Sequence, residues 1–196
     1  MSGCGDGRAL AGISGFYPTA PAIVDMMLQR LAPLERHHEV LEPSAGRGDI
    51  AERLAPLVDR LVCVEPHPML AGLLRRKGLL TVERRFEDFV PAQGFDRIAM
   101  NPPFAAGLDM EHVQRAFDLL KPSGILVALM NDGNSPGDGS TEQYAGFACW
   151  LVRSREIAEA SVERLEQRLL LSAENFRPSH VPVKLVRLTR APRSAA

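Results

Sequence analysis

Four consecutive residues have the chemistry to hold a flat amino group. Asn101-Pro102-Pro103-Phe104 follows a short apolar run, Arg97-Ile98-Ala99-Met100, that reads as the end of a buried strand. Two successive prolines have no N–H to give to a ladder, so the strand has to stop there. The segment then presents a side-chain amide, a stiff backbone carbonyl and an aromatic ring at the carboxyl edge of a sheet, where open α/β sheets take their ligands. The Asn101 amide oxygen and the Pro102 carbonyl can together accept both hydrogens of an exocyclic NH2 group. Phe104 can stack on the ring that carries it.

A second set of residues lies upstream. Val40-Leu41-Glu42 reads as the first strand and runs into Pro43-Ser44-Ala45-Gly46-Arg47-Gly48-Asp49. Gly46 and Gly48 permit positive φ and close approach of the backbone to a ligand. Asp49 opens a helix whose apolar face is Ile50, Leu54, Leu57 and Val58. Strand, glycine turn and helix make a nucleotide-type cradle. The third glycine of the dinucleotide fingerprint is missing, which fits a ligand without a pyrophosphate. The next strand, Leu61-Val62-Cys63-Val64, ends on Glu65, an acidic residue placed to accept from the hydroxyls of a ribose. Pro66, His67 and Met69 follow, where apolar side chains can pack on a base, and His67 reads as loop packing rather than as a catalytic base. Arg47-Gly48-Asp49 also spells an integrin-binding tripeptide, which inside a strand-to-helix turn is chance.

Asn-Pro-Pro-Phe closely resembles the catalytic motif of S-adenosylmethionine-dependent methyltransferases that act on planar amino groups, a type that includes N6-adenine DNA methyltransferases, RNA base methyltransferases and release-factor glutamine methyltransferases. Glu42-Pro43-Ser44-Ala45-Gly46 is very close to the first motif of the adenine-specific members. Phe16-Tyr17-Pro18-Thr19 resembles their Pro-Thr-Pro segment, which lies over the methionine part of the cofactor, although Ala20 here separates Thr19 from Pro21. Phe86-Glu87-Asp88-Phe89 resembles the third motif, in which an acidic side chain accepts from the cofactor's adenine N6. Asp88 is the expected acceptor rather than Glu87, with Phe86 and Phe89 turned inward to frame it. The resemblance spans roughly residues 15–190.

The remaining chain supplies the scaffold. Thr19 reads as the N-cap of a helix with Pro21 in its first turn and Ile23, Val24, Met27, Leu28 and Leu31 at helical spacing. Met69 to Lys77 reads as a helix closed by Gly78, with its basic run at the C-terminus. Leu80-Thr81-Val82 is an edge-like strand, and Phe95 to Met100 is the strand leading to the central motif. Asp109 is expected to cap a helix carrying Met110, Val113, Ala116, Phe117 and Leu120. Lys121 to Gly124 reads as a turn and Ile125 to Met130 as a strand covered on both faces. Residues 131–141 form a long polar loop that could close over a target. Tyr144 to about Arg155 is a helix, Ala160 to Leu171 is expected to be a strand, Asn175 to Pro178 a connection, and Val181 to Leu188 the last strand. His37, His38, His112 and His180 are assigned to surface or packing positions.

At 196 residues the chain is expected to be a flexible N-terminus over 1–15, one domain over 16–190 and a frayed tail over 191–196. No apolar run spans a bilayer, the N-terminus lacks the pattern of a signal peptide, and the three cysteines are scattered, which points to a reducing, cytoplasmic setting without a metal site. Net charge is −1, but residues 86–149 hold nine acidic and three basic residues, whereas residues 150–196 hold nine basic and five acidic ones. A polyanion would therefore dock on the C-terminal third.

The alternation of strands and helices predicts a doubly wound α/β sheet. The resemblance implies a Rossmann-like seven-stranded sheet of order 3-2-1-4-5-7-6, with the last strand antiparallel. It implies S-adenosyl-L-methionine as cofactor, held by Tyr17, Pro18, Thr19, Glu42, Ser44, Gly46, Gly48, Glu65, Pro66, Asp88, Phe89 and Asn101. It also implies methyl transfer at Asn101, Pro102 and Phe104. Adenine N6 in DNA is the first expectation for the substrate. An RNA base, a protein glutamine and an inactive cofactor-binding partner subunit are the alternatives. There is no room for a target-recognition domain, so low sequence specificity, a recognition partner or a single-stranded target is expected.

Overall fold

The computed structural model describes residues 17–132, 141–166 and 182–193. Its helices are α1 (Pro21–Leu31), α2 (Ala51–Leu54), α3 (Pro68–Arg76), α4 (Leu108–Asp118) and α5 (Thr141–Arg153). Its strands are β1 (Glu39–Glu42), β2 (Arg60–Val64), β3 (Leu80–Val82), β4 (Phe95–Met100), β5 (Leu120–Asn131), β6 (Ile157–Arg164) and β7 (Val183–Arg190). They form one seven-stranded sheet in the order β3-β2-β1-β4-β5-β7-β6. The pairs from β3 to β5 are parallel, and β7 runs antiparallel to both β5 and β6.

Strand alternation divides the core into two layers. Val40, Ala99, Val127 and Leu129 face the cluster built with Ile23, Val24, Met27 and Leu31 of α1. Leu41, Ile98, Met100, Leu126 and Ala128 face the opposite cluster, built with Met110, Val113, Ala116 and Phe117 of α4 and Phe147 of α5. The sheet is thus covered on both faces along its parallel part, as parallel sheets require. Each large apolar side chain buried this way contributes about 1.5–3 kcal/mol. Truncating Met27 or Phe117, both at most 1% exposed, would cost about 2–5 kcal/mol.

Arg97 stands among these apolar residues and is itself buried. Its guanidinium donates to the carbonyl oxygens of Leu31 (3.2 Å) and Pro33 (2.9 and 2.7 Å) and of Asp96 (2.8 Å). The carbonyls at the end of α1, which lack helical partners, are thereby tied to β4, the strand that ends at Asn101.

Local chemistry explains where the elements depart from expectation. Ala20, not Thr19, is the N-cap of α1, and it makes no side-chain cap. Pro56 ends the helix after the glycine turn, leaving a four-residue α2 followed by a 3-10 turn over Ala55–Leu57, so Leu57 is exposed rather than inward. Gly107, at φ 76°, is the N-cap of α4; Asp109 sits fully buried in its first turn and accepts the N–H of Asn131 at 3.0 Å. The expected turn at Lys121–Gly124 is a bulge within β5: Phe95 pairs with Leu120 and Arg97 with Ile125, and Ser123 adopts φ 63°. The expected strand near Ala160 is β6, beginning at Ile157 and ending at Arg164. The expected mobile N-terminus, the heart of the 131–141 loop, the connection at 175–178 and the last three residues lie outside the described residues. Among the described residues no helix is long and apolar enough to cross a membrane.

Candidate active site

A cavity of about 460 Å³ opens at the carboxyl ends of β1, β2 and β4. Among the described residues its lining runs from Tyr17 to His112. Of the residues expected to bind a cofactor, Tyr17, Thr19, Glu42, Ser44, Gly46, Glu65, Pro66 and Asn101 line it. Pro18, Gly48, Asp88 and Phe89 do not, and neither do Pro102 and Phe104 of the expected catalytic set.

The glycine turn is shaped by what surrounds it. Gly46 has φ 55° and Gly48 φ 95°. A Cβ on Gly48 would stand 2.9 Å from Leu74 Cδ2 of α3, so Gly48 lets α3 close against the turn rather than touching the cavity. Glu65 holds the turn from the end of β2: one carboxylate oxygen accepts the Gly46 N–H at 2.9 Å and the other the His67 N–H at 2.8 Å. Burial pushes the Glu65 carboxyl up, and these two N–H groups oppose the shift. Each oxygen keeps a further lone pair for a ligand hydroxyl.

Glu42 is 1% exposed, and its Oε2 has no hydrogen-bond partner. Burial first, and then the neighbouring Asp49 carboxylate, hold its carboxyl well above the ordinary range. The lining carries four carboxylates, Glu42, Asp49, Glu65 and Glu87, against two arginines. Both arginines are already engaged, Arg47 with Asp49 at 2.7 Å and Arg85 with Glu87 at 2.9 Å. An acid-lined cavity in which the buried Glu42 carboxyl keeps an unpartnered oxygen suits a cationic ligand, beside which that carboxyl can ionise, and disfavours a pyrophosphate.

At the other wall Asn101 is held by the segment before α1. Its Nδ2 donates to Thr19 Oγ1 at 3.0 Å and lies 3.4 Å from the Tyr17 carbonyl. A carbonyl can only accept, so the amide nitrogen faces this segment and Oδ1 is left as an acceptor. Thr19 is itself fixed, its N–H donating to Asp49 Oδ2 at 3.0 Å. A chain of contacts thus runs from Arg47 through Asp49 and Thr19 to Asn101. Pro102 is buried, and Phe104 is half-buried against the α1 side of the core.

Beyond β3 a 3-10 turn over Phe86–Asp88 decides which acid faces inward. Residues three apart share a face in a 3-10 turn, and Phe86 and Phe89 are both buried. Phe86 and Glu87 line the cavity, while Asp88, the expected acceptor, is exposed outside it. The Arg85 guanidinium holds the Glu87 carboxyl down at about 2. Met69 is exposed and turned away, and Leu70 takes the lining position expected of it. His112, assigned from sequence to packing, is buried and lines the cavity.

Three of the nine basic residues of the C-terminal third are engaged in holding the sheet edge. Arg187 donates to the Arg30 carbonyl and pairs with Glu159, Arg190 binds the Asp118 and Leu120 carbonyls and Glu156, and Arg164 pairs with Asp132. Lys184 lies 5.3 Å from the centre of the Tyr144 ring. One group of metal-ligand types occurs among the described residues, Glu35, His37 and His38. There His38 Nδ1 already accepts the Glu35 N–H at 3.0 Å, so it ties its own turn.

No protein-family model matches the sequence, and comparison with curated proteins finds no match. Solved structures do resemble it. An rRNA methylase from Streptococcus thermophilus is 16% identical with a TM-score of 0.59, covering 87% of this chain and 95% of that one. A dimethyladenosine transferase from Plasmodium falciparum is 14% identical with a TM-score of 0.62; the match covers 88% of this chain but only 62% of that one. SMU.1697c of Streptococcus mutans, solved in complex with SAH, is 12% identical with a TM-score of 0.58, covering 85% of this chain and 97% of that one. Strand order, strand direction and these likenesses together give the chain the Rossmann-like methyltransferase fold.

Proposed function

We propose that the protein is an S-adenosylmethionine-dependent methyltransferase acting on the exocyclic amino nitrogen of a nucleic-acid base, with adenine N6 as the site. The observation that carries the reading is the fixed orientation of Asn101, whose amide oxygen is left to accept beside an acid-lined cavity.

The residues present fit the cofactor. When bound, S-adenosylmethionine supplies a methyl group on a positively charged sulfur. Glu65 would take the ribose hydroxyls, Glu42 with its unpartnered oxygen would face the cationic end, and Glu87 would accept from the adenine amino group. Solvation by these fixed carboxylates replaces the water that the cation gives up on entering.

On the substrate side the chain has a modest task. An aromatic amino group is a weak nucleophile because its lone pair is delocalised into the ring. Asn101 Oδ1 and the Pro102 carbonyl accept its two hydrogens and favour a pyramidal nitrogen. Phe104, anchored on the core, offers its ring to the base. Positioning and preorganised dipoles supply the acceleration. In a duplex the base must first be unstacked, at a cost of a few kcal/mol.

DNA is the first expectation from the motif. The likeness to an rRNA methylase and to a dimethyladenosine transferase favours RNA as the second reading. Transfer of tritium from labelled S-adenosylmethionine to DNA, RNA and protein fractions, followed by nucleoside analysis, separates the readings. Label in N6-methyladenosine or its deoxy form is expected; label confined to protein would sink the base-directed reading.

A further inference from the structure

His112 sits on α4 where the turn over Phe86–Asp88 packs across the helix, and it is 5% exposed. Arg115, one turn further on, fastens that packing by donating to the Phe86 carbonyl at 3.0 Å and the Phe89 carbonyl at 2.8 Å. The Phe86 ring meets the imidazole edge-on at 5.3 Å between centres. Both imidazole nitrogens are buried, and neither has a hydrogen-bond partner. Glu87 Oε1 stands 3.5 Å from Nε2, too far for a good hydrogen bond. A buried polar group left unpaired is costly, and this one lines the cavity.

We propose that His112 reads the heterocyclic edge of the cofactor's purine, hydrogen-bonding a ring nitrogen beside the amino group that Glu87 accepts. This rests on the cofactor reading above. A neutral imidazole offers one N–H and one lone pair, and a carboxylate only accepts. Side by side they present acceptor and donor, the complement of the amino group and ring nitrogen of adenine. Hypoxanthine places a carbonyl where adenine has its amino group, so it turns an acceptor toward the Glu87 carboxylate.

The groups facing His112 are Glu87 from the turn after β3, with Arg85 held behind it, and Glu111 and Arg115 on its own helix. Burial holds the imidazole below its ordinary pKa, so it is neutral near pH 7.

The test uses S-adenosylhomocysteine and its hypoxanthine counterpart, S-inosylhomocysteine, with the intact chain. Calorimetry should show the wild type preferring the adenosyl compound by about a hundredfold. His112→Phe, which keeps a flat ring against Phe86, should weaken adenosyl binding by about tenfold and narrow the preference. His112→Gln should restore part of it. Nitrogen-15 spectra of the wild-type imidazole should show one tautomer locked when S-adenosylhomocysteine saturates the site. Imidazole signals untouched by saturation, with His112→Phe binding as wild type, would overturn the assignment while leaving the cofactor reading intact. A wild type that binds neither compound would overturn both.

Discussion

Asn101 and Thr19, 82 residues apart in the chain, meet through a 3.0 Å hydrogen bond in which the asparagine amide donates to the threonine hydroxyl. The bond fixes which end of the amide is left to accept. Thr19→Val keeps the shape and removes the acceptor, freeing the amide to rotate. Its kcat should fall about tenfold, and Thr19→Ser should recover most of the loss. Asn101→Ala should fall about a hundredfold or more, as when a preorganised transition-state partner is deleted. Single-turnover methylation at saturating cofactor reads both; a folded, cofactor-binding Asn101→Ala with full turnover would end the catalytic assignment.

Glu42 should trade stability for affinity. Its carboxyl is raised by burial, so the folded state holds a proton that the unfolded chain releases above about pH 4.5. Without cofactor, stability should therefore fall as pH rises from that point through the raised pKa, because the unfolded state then binds fewer protons. Glu42→Gln should flatten this dependence and raise Tm near neutral pH by about 2–4 °C, what ~1 kcal/mol gives at this size. The same variant should bind S-adenosylmethionine about tenfold more weakly. A lower Tm together with unchanged affinity would contradict the role given to the orphaned oxygen.

For Glu65 both oxygens matter. Glu65→Ala removes the acceptors of the Gly46 and His67 N–H groups as well as the proposed ribose contact. Calorimetric affinity for S-adenosylmethionine should drop by about 1–3 kcal/mol. Glu65→Gln, which can still accept one N–H, should lie between. Equal affinity in all three proteins would take Glu65 out of the site.

Phe104 is half-buried against the α1 side of the core, so its truncation has two components that need separate readouts. Phe104→Ala should weaken substrate binding by about 1–3 kcal/mol, the worth of base–aromatic stacking, with some loss of Tm. Phe104→Tyr should keep binding, because the π-face survives. If Phe104→Ala lowers Tm while substrate KM holds, the ring serves the core alone.

The strands, the two faces of the sheet and the glycine turn were legible in the sequence because they depend on local periodicity and on φ preferences. Site details set by distant contacts were not. Thr19 is of the type that caps helices, but its hydroxyl is taken by Asn101, just after β4. Asp88 and Glu87 are equivalent by type, and only the 3-10 turn that buries Phe86 and Phe89 exposes one and turns the other inward. His112 falls beside the apolar stripe of α4, and its burial depends on the turn after β3 closing over it. Pro56 was a signal that could have been used, since it forbids the longer helix expected there. The charge imbalance is visible as composition, whereas the pairing of Arg164, Arg187 and Arg190 with Asp132, Glu159 and Glu156 depends on the folded sheet edge.

Among the described residues, those that wall the cavity all precede Val113, and none comes from β5, β6 or β7. A substitution on the exposed face of β6 should therefore leave the cradle's shape intact, provided that β5 keeps its ladder with β4.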